Sequence, residues 1–266
     1  MDVIFTDLDG TLLDHSTYSF AEAQPGLDLL QGKGVPLILC TSKTRREVEL
    51  WRERLGNKHP FIVENGGAIF VPENYFDFAV PAAVLKDGYL MLVLGLPYDA
   101  LVESLGRAAA ESRCRVLGFS QMSAAEVSER CQMSQEQAAL AKTREFDEPF
   151  LILDEGTAPD LLTAIERLGL GWTRGGRFYH ILGGNDKAAA VRLLLDLYRI
   201  ADPHLRSVGL GDGLNDAPFL NVVDIPILIR TPWLGQLQAL VPRGRPTESP
   251  GPPGWSQAIL DLQMVP

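Results

Sequence analysis

The stretch Val3-Ile4-Phe5-Thr6-Asp7-Leu8-Asp9-Gly10-Thr11 decides how the rest of the chain is read. A short apolar run of β character leads into two carboxylates two residues apart, then into an Asp-Gly turn. Parallel α/β sheets present their chemistry at the carboxyl ends of their strands. A carboxylate held there can be a nucleophile or a metal ligand, and two of them can divide those roles. By themselves the same residues also make an ordinary acidic turn, so their meaning depends on what the chain brings beside them.

Working outward, residues 20–31 read as a helix closed by Gly32 and Gly34, and 35–40 as a continuous apolar strand buried on both faces. An amphipathic helix over 43–55, a strand over 60–63 and a hairpin-like segment over 66–71 follow. This β-α-β-α-β order implies a parallel sheet with right-handed crossovers. The middle changes style. It reads as a strand at 88–95, a helix at 98–112, a short strand at 116–118 and two short helices at 123–131 and 134–141. A strand at 150–154, a helix at 159–168 and a strand pair, 171–174 with 177–182, around Gly175-Gly176 complete it. The tail returns to alternation: helix 186–198, strand 206–210, short helix 217–221 and strand 225–229. A Pro/Gly-rich loop over 242–254 and a closing helix over 255–262 end it. The expected fold class is α/β: a Rossmann-like three-layer core with a mostly parallel central sheet, over residues 1–82 and 185–266. An inserted α+β cap domain is expected over 83–184.

Composition narrows the partners. The chain has 266 residues, 46% hydrophobic and 22% charged, with a formal net charge of −10. That balance argues against nucleic acid or an anionic membrane as main partner, since both favour a basic face. An acidic protein that handles phosphate needs local cations or a metal. Three widely spaced cysteines, Cys40, Cys114 and Cys131, make neither a disulfide framework nor a zinc site, and a cytoplasmic location is expected. The opening residues lack the basic and long apolar regions of a signal peptide, and no apolar run is long enough to span a bilayer. No P-loop occurs, and after Gly209 and Gly211 position 214 is Leu, so a dinucleotide fingerprint is absent as well.

Four segments each follow a predicted strand or open a helix: Asp7 to Thr11, Thr41-Ser42-Lys43, Lys187, and Gly211-Asp212-Gly213-Leu214-Asn215-Asp216. Strand ends of a parallel sheet converge on one crevice. Together the four supply phosphoryl transfer through an aspartyl intermediate. Asp7 would attack phosphorus, and Mg²⁺ would neutralise charge, held by Asp7 and Asp212 with Asp216 binding directly or through water. Asp9 is also counted among the metal ligands, and is displaced enough from Asp7 to act as general acid on the leaving oxygen and then as base for water. Thr41 or Ser42 would donate to phosphoryl oxygens, and Lys187 would offset the anionic charge.

On these four segments the chain resembles the haloacid dehalogenase-like superfamily of phosphohydrolases, and the middle insertion looks like the type 2B cap of its sugar-phosphatase branch. A narrower likeness lies in Cys40-Thr-Ser-Lys-Thr44, Phe61 to Phe70, Gly176-Arg177-Phe178-Tyr179-His180 and Gly251-Pro-Pro-Gly254-Trp255. These look like the mannosyl-3-phosphoglycerate phosphatase family. The resemblance implies Mg²⁺-dependent hydrolysis of 2-O-mannosyl-3-phosphoglycerate to mannosylglycerate, a compatible solute. Glucosyl-3-phosphoglycerate and sucrose phosphate are the alternatives. For such a small sugar-glycerate phosphate, Ser42 and Lys43 would meet the phosphate and the glycerate carboxylate. Glu64 and Asn65, at the next strand end, would hold sugar hydroxyls, and Gly66 and Asn215 are counted with them as substrate-binding. Arg177 and His180 would close from the cap, although His180 between Tyr179 and Ile181 also suits a packed cap residue.

Overall fold

A computed structural model describes residues 1–262; residues 263–266 of the expected core segment lie outside it. Strands β1 (Asp2–Thr6), β2 (Leu37–Cys40) and β3 (Phe61–Val63) alternate with helices α1 (Gln24–Lys33) and α2 (Arg45–Leu55). Strands β4 (Ala68–Pro72), β5 (Val84–Lys86) and β6 (Tyr89–Val93) follow. The middle of the chain forms α3 (Tyr98–Ser112), β7 (Val116–Gly118), α4 (Ala124–Cys131), α5 (Gln135–Ala141), β8 (Asp147–Ile152), α6 (Ala158–Arg167), β9 (Gly171–Gly175) and β10 (Phe178–Leu182). It ends with α7 (Lys187–Ala201), β11 (Arg206–Gly211), α8 (Ala217–Leu220), β12 (Ile225–Leu228), α9 (Leu234–Leu240), β13 (Arg245–Pro246) and α10 (Gly251–Asp261).

The larger sheet runs β13-β12-β11-β1-β2-β3-β4-β6-β5. It is parallel from β13 to β3 and antiparallel beyond. Alternate residues of its central strands face opposite layers. Ile4, Leu37 and Leu39 pack with Leu30, Val48, Trp51, Trp255 and Ile259 from α1, α2 and α10. Val3, Phe5, Ile38 and Cys40 pack with the α7, α8 and α9 side. Burial on both faces is why these strands read as unbroken apolar runs. The smaller sheet, β7-β8-β10-β9, is antiparallel. It packs its own core against α3 and α6 on one side, with Val127 of α4 and Ala138 of α5 in a second cluster. The inserted α+β cap is therefore present.

Its boundary differs from the expected residue 83. β5 and β6 join the larger sheet through β4, so the cap's own elements begin with α3. The β5–β6 hairpin turns at Asp87-Gly88, but the pairing of β6 with β4 leaves no local signal, and 88–95 alone fits either sheet. Helix α10 also starts earlier than expected, at Gly251, because prolines are tolerated in a first helical turn where the N–H is unsatisfied anyway. Trp255 on α10 is fully buried and donates from Nε1 to Thr6 Oγ1 at 3.0 Å. Among the described residues no helix is long and apolar enough to cross a membrane.

Candidate active site

Strand β1 lies between β11 and β2, so the chain leaves it toward one side and returns on the other. Such a switch point opens a crevice beyond the carboxyl ends of the strands. Asp7 follows β1, Ser42 and Lys43 follow β2, Asp212 follows β11, and Lys187 is the first residue of α7. Four distant segments thus deliver their side chains to one place.

Lys187 is buried, with Nζ 2.8 Å from Asp7 Oδ1 and 2.6 Å from Asp216 Oδ1. The second oxygen of Asp216 accepts from the backbone N–H groups of Asp212 and Gly213 at 3.1 and 2.9 Å. Asp212 accepts from Thr11 Oγ1 at 3.0 Å. Gly10 has φ +77°, and a Cβ there would stand 2.7 Å from Asp212 Oδ2, so the Asp-Gly turn lets the β11 loop approach. Asp7, Asp212 and Asp216 each offer a carboxylate oxygen within 4.8 Å of the others. Burial raises the Asp7 carboxyl to about 7, while Lys187 pulls it down and Asp216 pushes it up. Burial, then the charges of Asp216 and Asp7, hold the Asp212 carboxyl well above its usual range. Burial opposes the charge on Lys187, but Asp216 and Asp7 outweigh it and keep the ammonium protonated. Three crowded carboxyl groups share one ammonium. An all-carboxylate donor set of this kind suits a hard divalent cation.

Asp9 stands apart from that trio. Its Oδ2 lies 2.8 Å from Lys43 Nζ, and its Oδ1 is buried with no hydrogen-bond partner among the described residues. The side chain of Asp9 is therefore not grouped with the three metal-type carboxylates. Lys43 is itself nearly buried, 3.8 Å from Glu47 and 5.1 Å from the centre of the Tyr18 ring. Of the two candidate hydroxyl residues, Ser42 lines the cavity. Thr41 is buried and its Oγ1 accepts from the Lys43 N–H at 3.3 Å.

A cavity of about 460 Å³ opens above these groups, between the large sheet and the cap. Asp7, Asp9 and Asp212 line its core side; Arg177, His180 and the Gly175-Gly176 turn line its cap side; Asn215 lies between. Arg177 donates to Arg130 O and, at 3.3 Å, to Gln132 Oε1, so its guanidinium is tied to the end of α4. His180 is buried against Asp147.

Glu64, Asn65 and Gly66 do not line the cavity. Glu64 is fully buried and accepts from the N–H groups of Glu145 and Phe146 at 3.0 and 2.8 Å, which pins the cap linker to β3. Asn65 donates to Asp147 at 2.8 Å and accepts from Asn215 at 3.3 Å. Gly66, with φ +86°, would place a Cβ 2.1 Å from Asp186 O. It admits the start of α7 and so seats Lys187. All three serve the junction of core and cap; proximity to a strand end could not distinguish that from ligand contact.

Residues 4–80 match the sequence model of haloacid dehalogenase-like hydrolases. A protein of Methanococcoides burtonii, named glucosyl-3-phosphoglycerate/mannosyl-3-phosphoglycerate phosphatase, is 42% identical over 98% of this chain and 96% of its own. The mannosyl-3-phosphoglycerate phosphatase of Pyrococcus furiosus is 41% identical over 85% of this chain and 90% of its own. The chain belongs to the mannosyl-3-phosphoglycerate phosphatase family of haloacid dehalogenase-like hydrolases. The fold agrees: a subclass IIB sugar phosphatase of that superfamily superposes with a TM-score of 0.68 at 16% identity, over 98% of both chains. As a member of this family the chain is a phosphatase, and its site contains residues that motif spacing misses. Tyr18 flanks Lys43, Trp233 donates from Nε1 to Asp212 O at 2.8 Å, and Arg144 lines the cavity from the cap linker. An aromatic or arginine standing alone outside any motif gives no signal in a single sequence.

Proposed function

We propose that this phosphatase hydrolyses 2-O-mannosyl-3-phosphoglycerate to mannosylglycerate and phosphate through a phosphorylated Asp7, in the synthesis of a compatible solute. The observation that carries the reading is the buried Lys187 held between Asp7 and Asp216, beside a cavity lined by Asp7, Asp9 and Asp212 together with Lys43, Arg144 and Arg177. A carboxylate oxygen of Asp7 attacks phosphorus, and the bond from phosphorus to the glycerate oxygen breaks. Asp9 protonates that leaving oxygen, then takes a proton from the water that attacks the phosphoaspartate. The bond from phosphorus to Asp7 breaks, phosphate leaves, and both carboxylates return to their starting states. Mg²⁺, with Asp7, Asp212 and Asp216 as its holders, would supply neutralisation of the anionic nucleophile and phosphate. Lys187 holds Asp7 in place and lowers the cost of bringing an anion to it. Ser42 offers a hydroxyl to a phosphoryl oxygen, and Lys43 a cation to the glycerate carboxylate.

The double name of the Methanococcoides relative favours a second sugar, so glucosyl-3-phosphoglycerate is a further substrate in this reading. Cys40, Cys114 and Cys131 are unpaired thiols, which fits a reducing cytoplasm as the compartment. Phosphate release should be compared among the mannosyl and glucosyl compounds, sucrose phosphate and p-nitrophenyl phosphate, with Mg²⁺ and with EDTA. A preference of more than about tenfold for the two glycosyl-phosphoglycerates, lost in EDTA, supports the reading. Faster hydrolysis of sucrose phosphate refutes the substrate assignment.

A further inference from the structure

Asp147, the first residue of β8, is fully buried and takes no part in the chemistry above. Its carboxylate gathers donors from three parts of the molecule. Arg144 Nη2 reaches Oδ1 at 2.6 Å, Asn65 Nδ2 reaches Oδ2 at 2.8 Å, and His180 Nδ1 lies 2.9 Å from Oδ2 and 3.1 Å from Oδ1. Each partner also holds something else. Arg144 donates through Nη2 to Ser42 O at 2.8 Å, on the loop after β2. Asn65 accepts from Asn215, on the loop after β11. His180 belongs to the cap sheet.

A buried carboxylate is costly, and packed apolar side chains would often stabilise this position better. What it provides instead is orientation. Asp147 fixes Nδ1 as the protonated ring nitrogen, so Nε2 is the one left for a ligand. Both Nε2 of His180 and Nδ2 of Asn215 lie 3.8 and 3.7 Å from the point where a Gly175 side chain would begin. That glycine leaves open a space flanked by a ring nitrogen from the cap and an amide from the core. Arg144 lines the same cavity, and its Nη1 makes no hydrogen bond among the described residues. A ring nitrogen and an amide suit hydroxyl groups, whereas a guanidinium edge suits a carboxylate.

We propose that Asp147 is a positioning residue that aims His180 and Arg144 at the alcohol half of the substrate, and so sets preference for a phosphomonoester bearing sugar hydroxyls and a carboxylate. This rests on the phosphatase reading of the same cavity and deepens it. Asp147 touches no substrate; it acts through its partners, and through Ser42 and Asn215 it ties their position to the phosphate end of the cavity.

The test uses the full chain with Mg²⁺ and two substrates, 2-O-mannosyl-3-phosphoglycerate and p-nitrophenyl phosphate, which lacks both sugar and carboxylate. In Asp147→Asn and in His180→Phe, the ratio of kcat/KM between them should fall at least about tenfold, mainly through KM for the glycosyl substrate. The Asp147→Asn effect should shrink in a His180→Phe background, because the two act as a unit. Parallel loss on both substrates, an unchanged ratio, or additive effects would overturn the proposal. If Asp147→Asn does not fold, Arg144→Gln with His180→Phe is measured by the same ratio and the same cycle. A wild-type enzyme that shows no preference for any glycosyl-phosphoglycerate over p-nitrophenyl phosphate instead refutes the underlying substrate reading.

Discussion

The Lys43 ammonium lies 2.8 Å from the Asp9 carboxylate, with Glu47 at 3.8 Å and the Tyr18 ring beside it. Burial works against the charge on Lys43, but Asp9 and Glu47 outweigh it and hold the ammonium well above its usual range. The contact fixes one oxygen of Asp9, and the other is buried with no hydrogen-bond partner among the described residues. Lys43→Met removes that restraint and the cation proposed to meet the glycerate carboxylate. Steady-state kinetics should show KM for 2-O-mannosyl-3-phosphoglycerate rising and kcat falling, for a combined loss of about a hundredfold. Wild-type constants in this variant would remove Lys43 from the account.

Lys187 is the counterion of two buried carboxylates, and its removal strands them. Lys187→Met should lose about a thousandfold or more in kcat/KM. It should also lose about 3 kcal/mol of stability in metal-free buffer, the usual cost of breaking a buried pair from one side. Urea unfolding in EDTA measures the second effect, and an unchanged midpoint would show that the pair is not buried as described.

Metal binding should be visible without turnover. Mg²⁺ should raise the Tm of the wild type by linkage to the native state. Asp212→Asn takes one donor from the set of Asp7, Asp212 and Asp216 and should abolish most of that shift. A full shift in this variant would place the ion elsewhere.

His59 gives a pH signature away from the active site. It is part of a chain in which His59 Nδ1 meets Tyr75 OH and Tyr75 OH meets Tyr198 OH, each at 2.8 Å. Burial, reinforced by the charge of Arg52, lowers its pKa to about 4 from 6.5. The folded value lies below the unfolded one, so the unfolded chain takes up the proton first as pH falls. This group's contribution is complete above pH 6.5 and lost as pH drops toward 4. His59→Gln should flatten the dependence of unfolding free energy on pH across that window, compared with the wild type in the same Mg²⁺ buffer.

Asp7, Asp212 and Lys187 come together as their strand-end and helix-start positions suggest, whereas Glu64 and Asn65 do not line the cavity, and the difference has a physical reason. Asp7, Asp212 and Lys187 carry positional information because each must sit at a strand end or helix start, and those boundaries are set by local apolar runs and turns. Glu64 and Asn65 occupy an equivalent strand end, yet their side chains point into the linker around Asp147 rather than into the cavity. Burial and side-chain direction at such a position depend on where the cap docks, and no local pattern encodes that. The same holds for β5 and β6, whose place in the larger sheet follows from pairing with β4. Arg144, Tyr18 and Trp233 enter the site from irregular segments, where spacing says nothing.

Whether Asp7 carries the phosphoryl group is tested most directly by phosphate release from 2-O-mannosyl-3-phosphoglycerate at saturating Mg²⁺, wild type against folded Asp7→Asn. Release should fall at least about a thousandfold, because an amide is no nucleophile toward phosphorus. Activity within about tenfold of wild type would contradict it, since catalysis would then proceed without the residue on which the mechanism turns.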